Sequence, residues 1–229
     1  MIVQTRRVWQ ESNETGASTF LFLLLVADGV FILLHFLRLL PIMDSPLLAL
    51  DKDLGYPEFY QYTKELWMVI LLLTLRSRTK TNGYILWALL FLYILLDDSL
   101  RIHESVGRYT SSILAPGTFL GLRMQDIGEL AVYALVALVF FVSIYFAYMR
   151  GSVAYQQVTR HLLFLLFLFG FFGVVMDMAA IILALDWKAD YVAAAIEDGG
   201  EMIVMSFMVW YTYLLMISAQ LKPSVADDI

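Results

Sequence analysis

Three observations predict an all-α integral membrane protein, a bundle of six transmembrane helices with both termini cytoplasmic. The chain is 61% hydrophobic and 16% charged, with a mean hydropathy of +0.75; soluble domains are roughly 45–50% apolar and about 25% charged. Six apolar stretches have about the 20 residues that a helix needs to cross a bilayer. Lysines and arginines are distributed unevenly between alternate connections, the asymmetry that orients multi-span proteins.

The spans are expected at 19–40, 57–76, 84–104, 127–149, 161–186 and 199–220, as one domain between a cytoplasmic segment 1–18 and a cytoplasmic tail 221–229. Lipid offers no hydrogen bonds to an open backbone, so each span is read as a helix. The first runs from Thr19 to Leu40 and closes at Pro41; it reads as a span and not as a cleavable signal. "TKTNG" (79–83) parts the second span from the third. The third begins "YILWALLFLYI" and ends in the charged stretch "LLDDSLRIHESVG", residues 95–107. The connection 105–126 holds a short apolar piece around Pro116 and Gly117, expected to be re-entrant or interfacial because it cannot span. Arg150 closes the fourth span, His161 opens the fifth, and Pro223 follows the sixth.

With six spans, Arg6, Arg7, Arg76, Arg78, Lys80, Arg150, Arg160 and Lys222 share one side, which the positive-inside rule makes the cytoplasm of a cell (inner) membrane. The acids are more skewed. Of 21, only Glu11, Glu14, Asp227 and Asp228 fall on that side. The net charge of −6 excludes a nucleic-acid-binding footprint. The absence of cysteine excludes disulfides, thiolate metal sites and cysteine nucleophiles.

Each expected helix carries at least one carboxylate. An ionisable group in a span costs about 2.5–3.5 kcal/mol on insertion scales, so these acids are expected to face inward, paired or bound to a cation. Helical spacing gives them common faces: Asp28 and His35, then Asp97, Arg101 and Glu104, then Asp126, Glu129 and Tyr133, then Glu197 and Glu201. Gly199 and Gly200 allow close helix approach. Asp28 and Glu65 fall near the midplane, and the other acids lie toward the outer side. The inner half holds Thr74, Ser143, Thr212 and tyrosines, but no carboxylate. The pattern is a funnel open outward, which suits a site better than a pore.

Imidazole with carboxylates favours a divalent cation: zinc, iron or manganese first, with calcium or magnesium as options. The expected metal ligands are His103, Glu104, Glu129 and Glu201, with Asp98 and His35 next. An open coordination position would activate water, with Asp97 or Glu197 as catalytic base. The first reading is therefore metal-assisted hydrolysis or transfer on a lipid-type substrate in the bilayer. A second is proton or cation transport with Asp28, Glu65 and Asp177 as relay groups. A third is a non-catalytic accessory subunit held by a membrane protein partner or by copies of itself. Simpler roles stand beside these: Asp97 with Arg101 as a buried ion pair, and Glu197 with Asp198 as solvated acids at a helix start. No His-Glu-x-x-His, Glu-x-x-His or Gly-x-Ser-x-Gly motif occurs.

Overall fold

The computed structural model describes residues 12–38, 45–114, 117–183 and 186–221. Pro41, Pro116 and Pro223, with Arg6, Arg7, Glu11, Lys222, Asp227 and Asp228, lie outside the described residues. The elements in chain order are α1 (Ala17–Leu37), a single 3-10 turn (Pro46–Leu48), α2 (Tyr56–Thr79), α3 (Gly83–Leu100) and α4 (Ile102–Ile113). A small hairpin of β1 (Thr118–Phe119) and β2 (Leu122–Arg123) follows. Then come α5 (Met124–Arg150), α6 (Val153–Gly170), a π-helical segment (Phe171–Met176), α7 (Asp177–Leu183) and α8 (Trp187–Leu221).

Five helical segments are long and apolar enough to cross a membrane: Ala17–Leu37, Gly83–Leu100, Met124–Arg150, Val153–Leu183 and Tyr191–Gln220. The chain is a multi-pass membrane protein. The remaining expected span, α2, has 24 residues but carries Glu58, Lys64, Glu65, Arg76 and Arg78. Its polar middle is enclosed by protein: Gln61, Lys64 and Glu65 are all buried.

The core is built where α2, α3, α6 and α8 meet. Met68 and Leu72 of α2, Trp87 and Phe91 of α3, Leu162 of α6 and Met205 and Met208 of α8 are fully enclosed there. Lipid chains are as apolar as these side chains, so close packing supplies more of the stabilisation than removal from water does. Half of the apolar stretch of α8 is buried against 6% of that of α5. That contrast makes α8 a central helix and α5 an outer one.

Several expected boundaries are corrected. The third span does not run to residue 104. Arg101 adopts a left-handed conformation (φ 54°), and the chain restarts there as α4. Asp97, Arg101 and Glu104 therefore do not share one helical face. The segment after it is the amphipathic α4 packed against α5, followed by a hairpin whose turn residues Leu120 and Gly121 both have positive φ. Gly107 and Gly128 make the α4–α5 crossing close: a Cβ on Gly128 would lie 2.9 Å from the Gly107 Cα. The fifth span starts earlier, at Val153, where the Ser152 hydroxyl accepts the Tyr155 N–H at 3.3 Å. The sixth helix begins at Trp187, so Glu197 and Asp198 stand inside it and not at its start.

Candidate functional site

Six helices, the π segment and the loop 50–53 enclose a cavity of about 610 Å³, within the range of roughly 300–1,000 Å³ common for small-molecule sites. Its polar end gathers Asp97 and Asp98 from α3, His103 and Glu104 from α4, and Glu197, Asp198 and Glu201 from α8. Glu58, Gln61 and Tyr62 of α2 and Tyr133 of α5 complete that end. The remaining wall is apolar, with Leu90 and Ile94 of α3 facing phenylalanines and valines of α5, α6 and the π segment.

The break at Arg101 positions the first cluster. Asp97 uses one carboxylate oxygen to accept the His103 backbone N–H at 2.9 Å, capping the start of α4. Its other oxygen lies 3.0 Å from His103 Nδ1. Arg101 instead pairs with Asp53 and, at 3.0 Å, with Glu104. The simpler expectation of an Asp97–Arg101 pair is thus replaced by an Asp97–His103 pair. Burial works against the His103 charge. The Asp97 hydrogen bond and charge outweigh it, with Asp98 and Glu129 behind, and hold the imidazole above its ordinary pKa. The His103 ring also lies 5.1 Å from that of Tyr133.

Asp97, Asp98 and His103 each offer one ligand-type atom, and the three atoms lie within 4.8 Å of one another. Two carboxylates and one imidazole suit zinc, iron or manganese. Beneath them, fully buried Glu65 receives no N–H or O–H donor among the described residues. The Asp98 carboxylate is near enough for the two charges to interact. Buried Gln61, four residues earlier on α2, lines the cavity with neither amide atom hydrogen-bonded among the described residues.

The other expected site residues are distributed as follows. Glu201 and Glu197 reach the cavity, and Glu201 lies against Gly173 of the π segment, where any side chain would collide with its carboxylate. Gly199 and Gly200 do permit close approach, to Ile32 and Phe172 respectively. Glu104 faces the cavity but is held by Arg101 and, at 2.9 Å, by Arg108. Glu129 sits outside the lining, accepting Gln125 Nε2 at 3.0 Å and packing on Gly107. Asp177 also lies outside it, among Arg123, Asp126 and Glu129. Asp126 is consumed locally, accepting the Arg123 N–H at 2.7 Å and its guanidinium at 2.6 Å.

α1 contributes nothing to the cavity, against the expectation that every helix would. His35 accepts the Leu50 N–H on Nδ1 and donates Nε2–H to the Tyr191 carbonyl, both at 3.1 Å. The ring stacks on Tyr191 at 4.0 Å. With both nitrogens engaged, His35 is not brought into the ligand cluster. Asp28 accepts from Lys64 Nζ at 2.9 Å and from Ser206 at 2.6 Å, in a closed network behind the cavity. Sequence reasoning missed Gln61, Gly173 and the partnership of Lys64. The signal for Gln61 and Lys64 was present: Gln61 lies one helical turn before Lys64 and Glu65, at spacings of three and four.

Fold and site together define an α-helical membrane protein with a cavity whose polar end is acidic. The chain belongs to the family described as Domain of unknown function (DUF8692), whose model matches residues 23–217. No curated protein and no solved structure matches it.

Proposed function

We propose that the cavity opens outward, binds a divalent cation at Asp97, Asp98 and His103, and supports metal-assisted hydrolysis or transfer on a lipid-type substrate. The observation that carries this reading is the three ligand-type atoms within 4.8 Å of one another at the polar end of a cavity with an apolar wall. Asp97 orients His103, as carboxylates do for metal-binding imidazoles. A bound cation would offset the crowding of Asp98, Asp198 and Glu201, and would polarise a substrate carbonyl or a water molecule. Glu197, on the opposite wall, is the candidate acceptor for the proton such a water releases. The bilayer hosts six crossings in this reading, with α2 as the polar inner one and both termini in the cytoplasm.

The test is metal analysis of the purified full chain. Stoichiometric metal in the wild type, lost in His103→Ala and in Asp98→Asn, is the expected result. A metal-free wild type, prepared without chelator, would overturn the reading.

A second reading, proton or cation passage, draws on a different observation: beyond half-buried Asp98, the side chains of Glu65, Lys64 and Asp28 are all fully buried, with Lys64 and Asp28 2.9 Å apart. Proteoliposome flux that disappears in Glu65→Gln would favour it.

A further inference from the structure

The cavity has two rims of opposite character, and their pairing specifies what fits. At one rim Asp51, Lys52 and Asp53 of the loop are exposed while lining the cavity. At the other, Phe141 of α5 (45% exposed), Phe167 of α6 (72%) and Phe171 and Val175 of the π segment (39% and 51%) line the cavity and also face the surroundings. These four belong to helices long and apolar enough to cross a membrane, so this rim faces hydrocarbon. The cavity therefore opens sideways between α5 and the α6–π segment. A compound confined to water would leave the apolar arm unfilled, and a plain hydrocarbon would leave unsatisfied the polar end, where Gln61 has no hydrogen-bond partner among the described residues.

The charge of the polar end narrows the class. Carboxylates from α2, α3 and α8 and from the loop face the space, against Lys52 and the single imidazole of His103. One divalent cation at Asp97, Asp98 and His103 would still leave Glu58, Glu197, Asp198 and Glu201 around the headgroup. An anionic headgroup meets like charge there, a repulsion little screened in an enclosed site. A hydroxyl or amine headgroup finds acceptors, and an ammonium also meets the aromatic side chains of Tyr93 and Tyr133 in the lining.

We propose that the cavity takes a membrane amphiphile with an uncharged or cationic headgroup bearing hydroxyl or amine groups, entering sideways between α5 and the α6–π segment with its chain along Phe141, Phe167 and Phe171. The inference rests on reading this cavity as a substrate site, and it deepens that reading by naming the headgroup class and the entry route.

The experiment uses the full chain in phosphatidylcholine nanodiscs and three single-chain probes carrying the same mid-chain diazirine. Their headgroups are glycerol, a primary amine and phosphate. Crosslinks are mapped by peptide mass spectrometry, and metal content is measured on the same samples. The expected result is labelling at Leu90, Ile94 and Ala137, inside the cavity, with the glycerol and amine probes at least about tenfold stronger than with phosphate, a difference of about 1.4 kcal/mol. Ala137→Trp, which fills the apolar arm, should abolish that internal labelling while leaving labelling of exposed Leu135 and Leu138 in place. Equal internal labelling by all three headgroups, or labelling confined to exposed residues, would overturn the proposal whatever the metal content. Headgroup-selective internal labelling of a metal-free protein would uphold it and remove the metal reading alone. Because headgroup selectivity is read on the wild type, the result stands even where Ala137→Trp does not fold.

Discussion

Lys64 Nζ stands 2.9 Å from Asp28 Oδ1, with neither side chain exposed, and it donates a further hydrogen bond of 2.7 Å to the Met202 carbonyl. Tyr60 lies across the same ammonium, 4.5 Å from ring centroid to Nζ. The pair ties α1 and α2 to α8 at a depth where a lone charge has no solvent. Removing one partner of a buried pair costs about 3–5 kcal/mol, whereas removing both is often close to neutral. Asp28→Leu and Lys64→Met are each expected to destabilise the chain by about that amount. The double variant should recover most of the loss. Equilibrium unfolding in detergent micelles checks this; additive losses would show that the two residues act separately.

The Asp97–His103 pair gives stability a defined pH dependence. The folded-state pKa of His103 is raised by its partner despite burial, so the folded state binds the proton more tightly than the unfolded chain, where the value is about 6.5. The stabilisation is fully present below that unfolded value and is lost as pH rises through the higher folded one. Metal-free protein should therefore melt at progressively lower temperature as pH rises through that window. His103→Asn should flatten the slope. A wild-type profile matching that of His103→Asn would remove the ion pair from the account.

Apolar runs with turn residues between them made the helices legible, and the spacing of four between Glu197 and Glu201 corresponds to their shared place in the cavity lining. What sequence could not carry were the events that break periodicity. Arg101 turns left-handed in the middle of a helical pattern, and no residue type announces it; arginine has no preference for that conformation. The break moves Glu104 onto a new helix and hands Asp97 to His103. The π segment 171–176 is equally silent, because it inserts its extra residue into an unbroken run of apolar sequence. Depth alone also cannot choose partners. Asp28 and Glu65 look alike along the chain, yet Lys64 neutralises the first while the second has no hydrogen-bond donor among the described residues.

Glu65, fully buried without an N–H or O–H donor among the described residues, predicts a permissive substitution. Glu65→Gln removes a carboxylate that no donor satisfies and keeps the shape of the side chain. Stability should fall by less than about 1 kcal/mol, or rise. Thermal unfolding of the two proteins in detergent micelles checks this; a loss of about 3 kcal/mol or more would show that the carboxylate makes a stabilising contact that the amide cannot.

Gly173 tests whether Glu201 is held where the cavity needs it. A Cβ at this position would fall on the Glu201 carboxylate, while its clearance from the Glu201 Cγ is an ordinary 3.5 Å. The conflict is therefore with the end of the side chain and not with the α8 backbone. Gly173→Ala must push the carboxylate into the cavity or open the π segment, at about 1–3 kcal/mol for an overpacked site. In a Glu201→Ala background the obstructing atoms are gone, and the same substitution should be close to neutral. It would even gain slightly from the helix preference of alanine over glycine. The cycle isolates a coupling that neither single variant reveals. If Gly173→Ala costs the same in both backgrounds, its effect comes from the π-turn backbone, and Glu201 is not positioned by that contact.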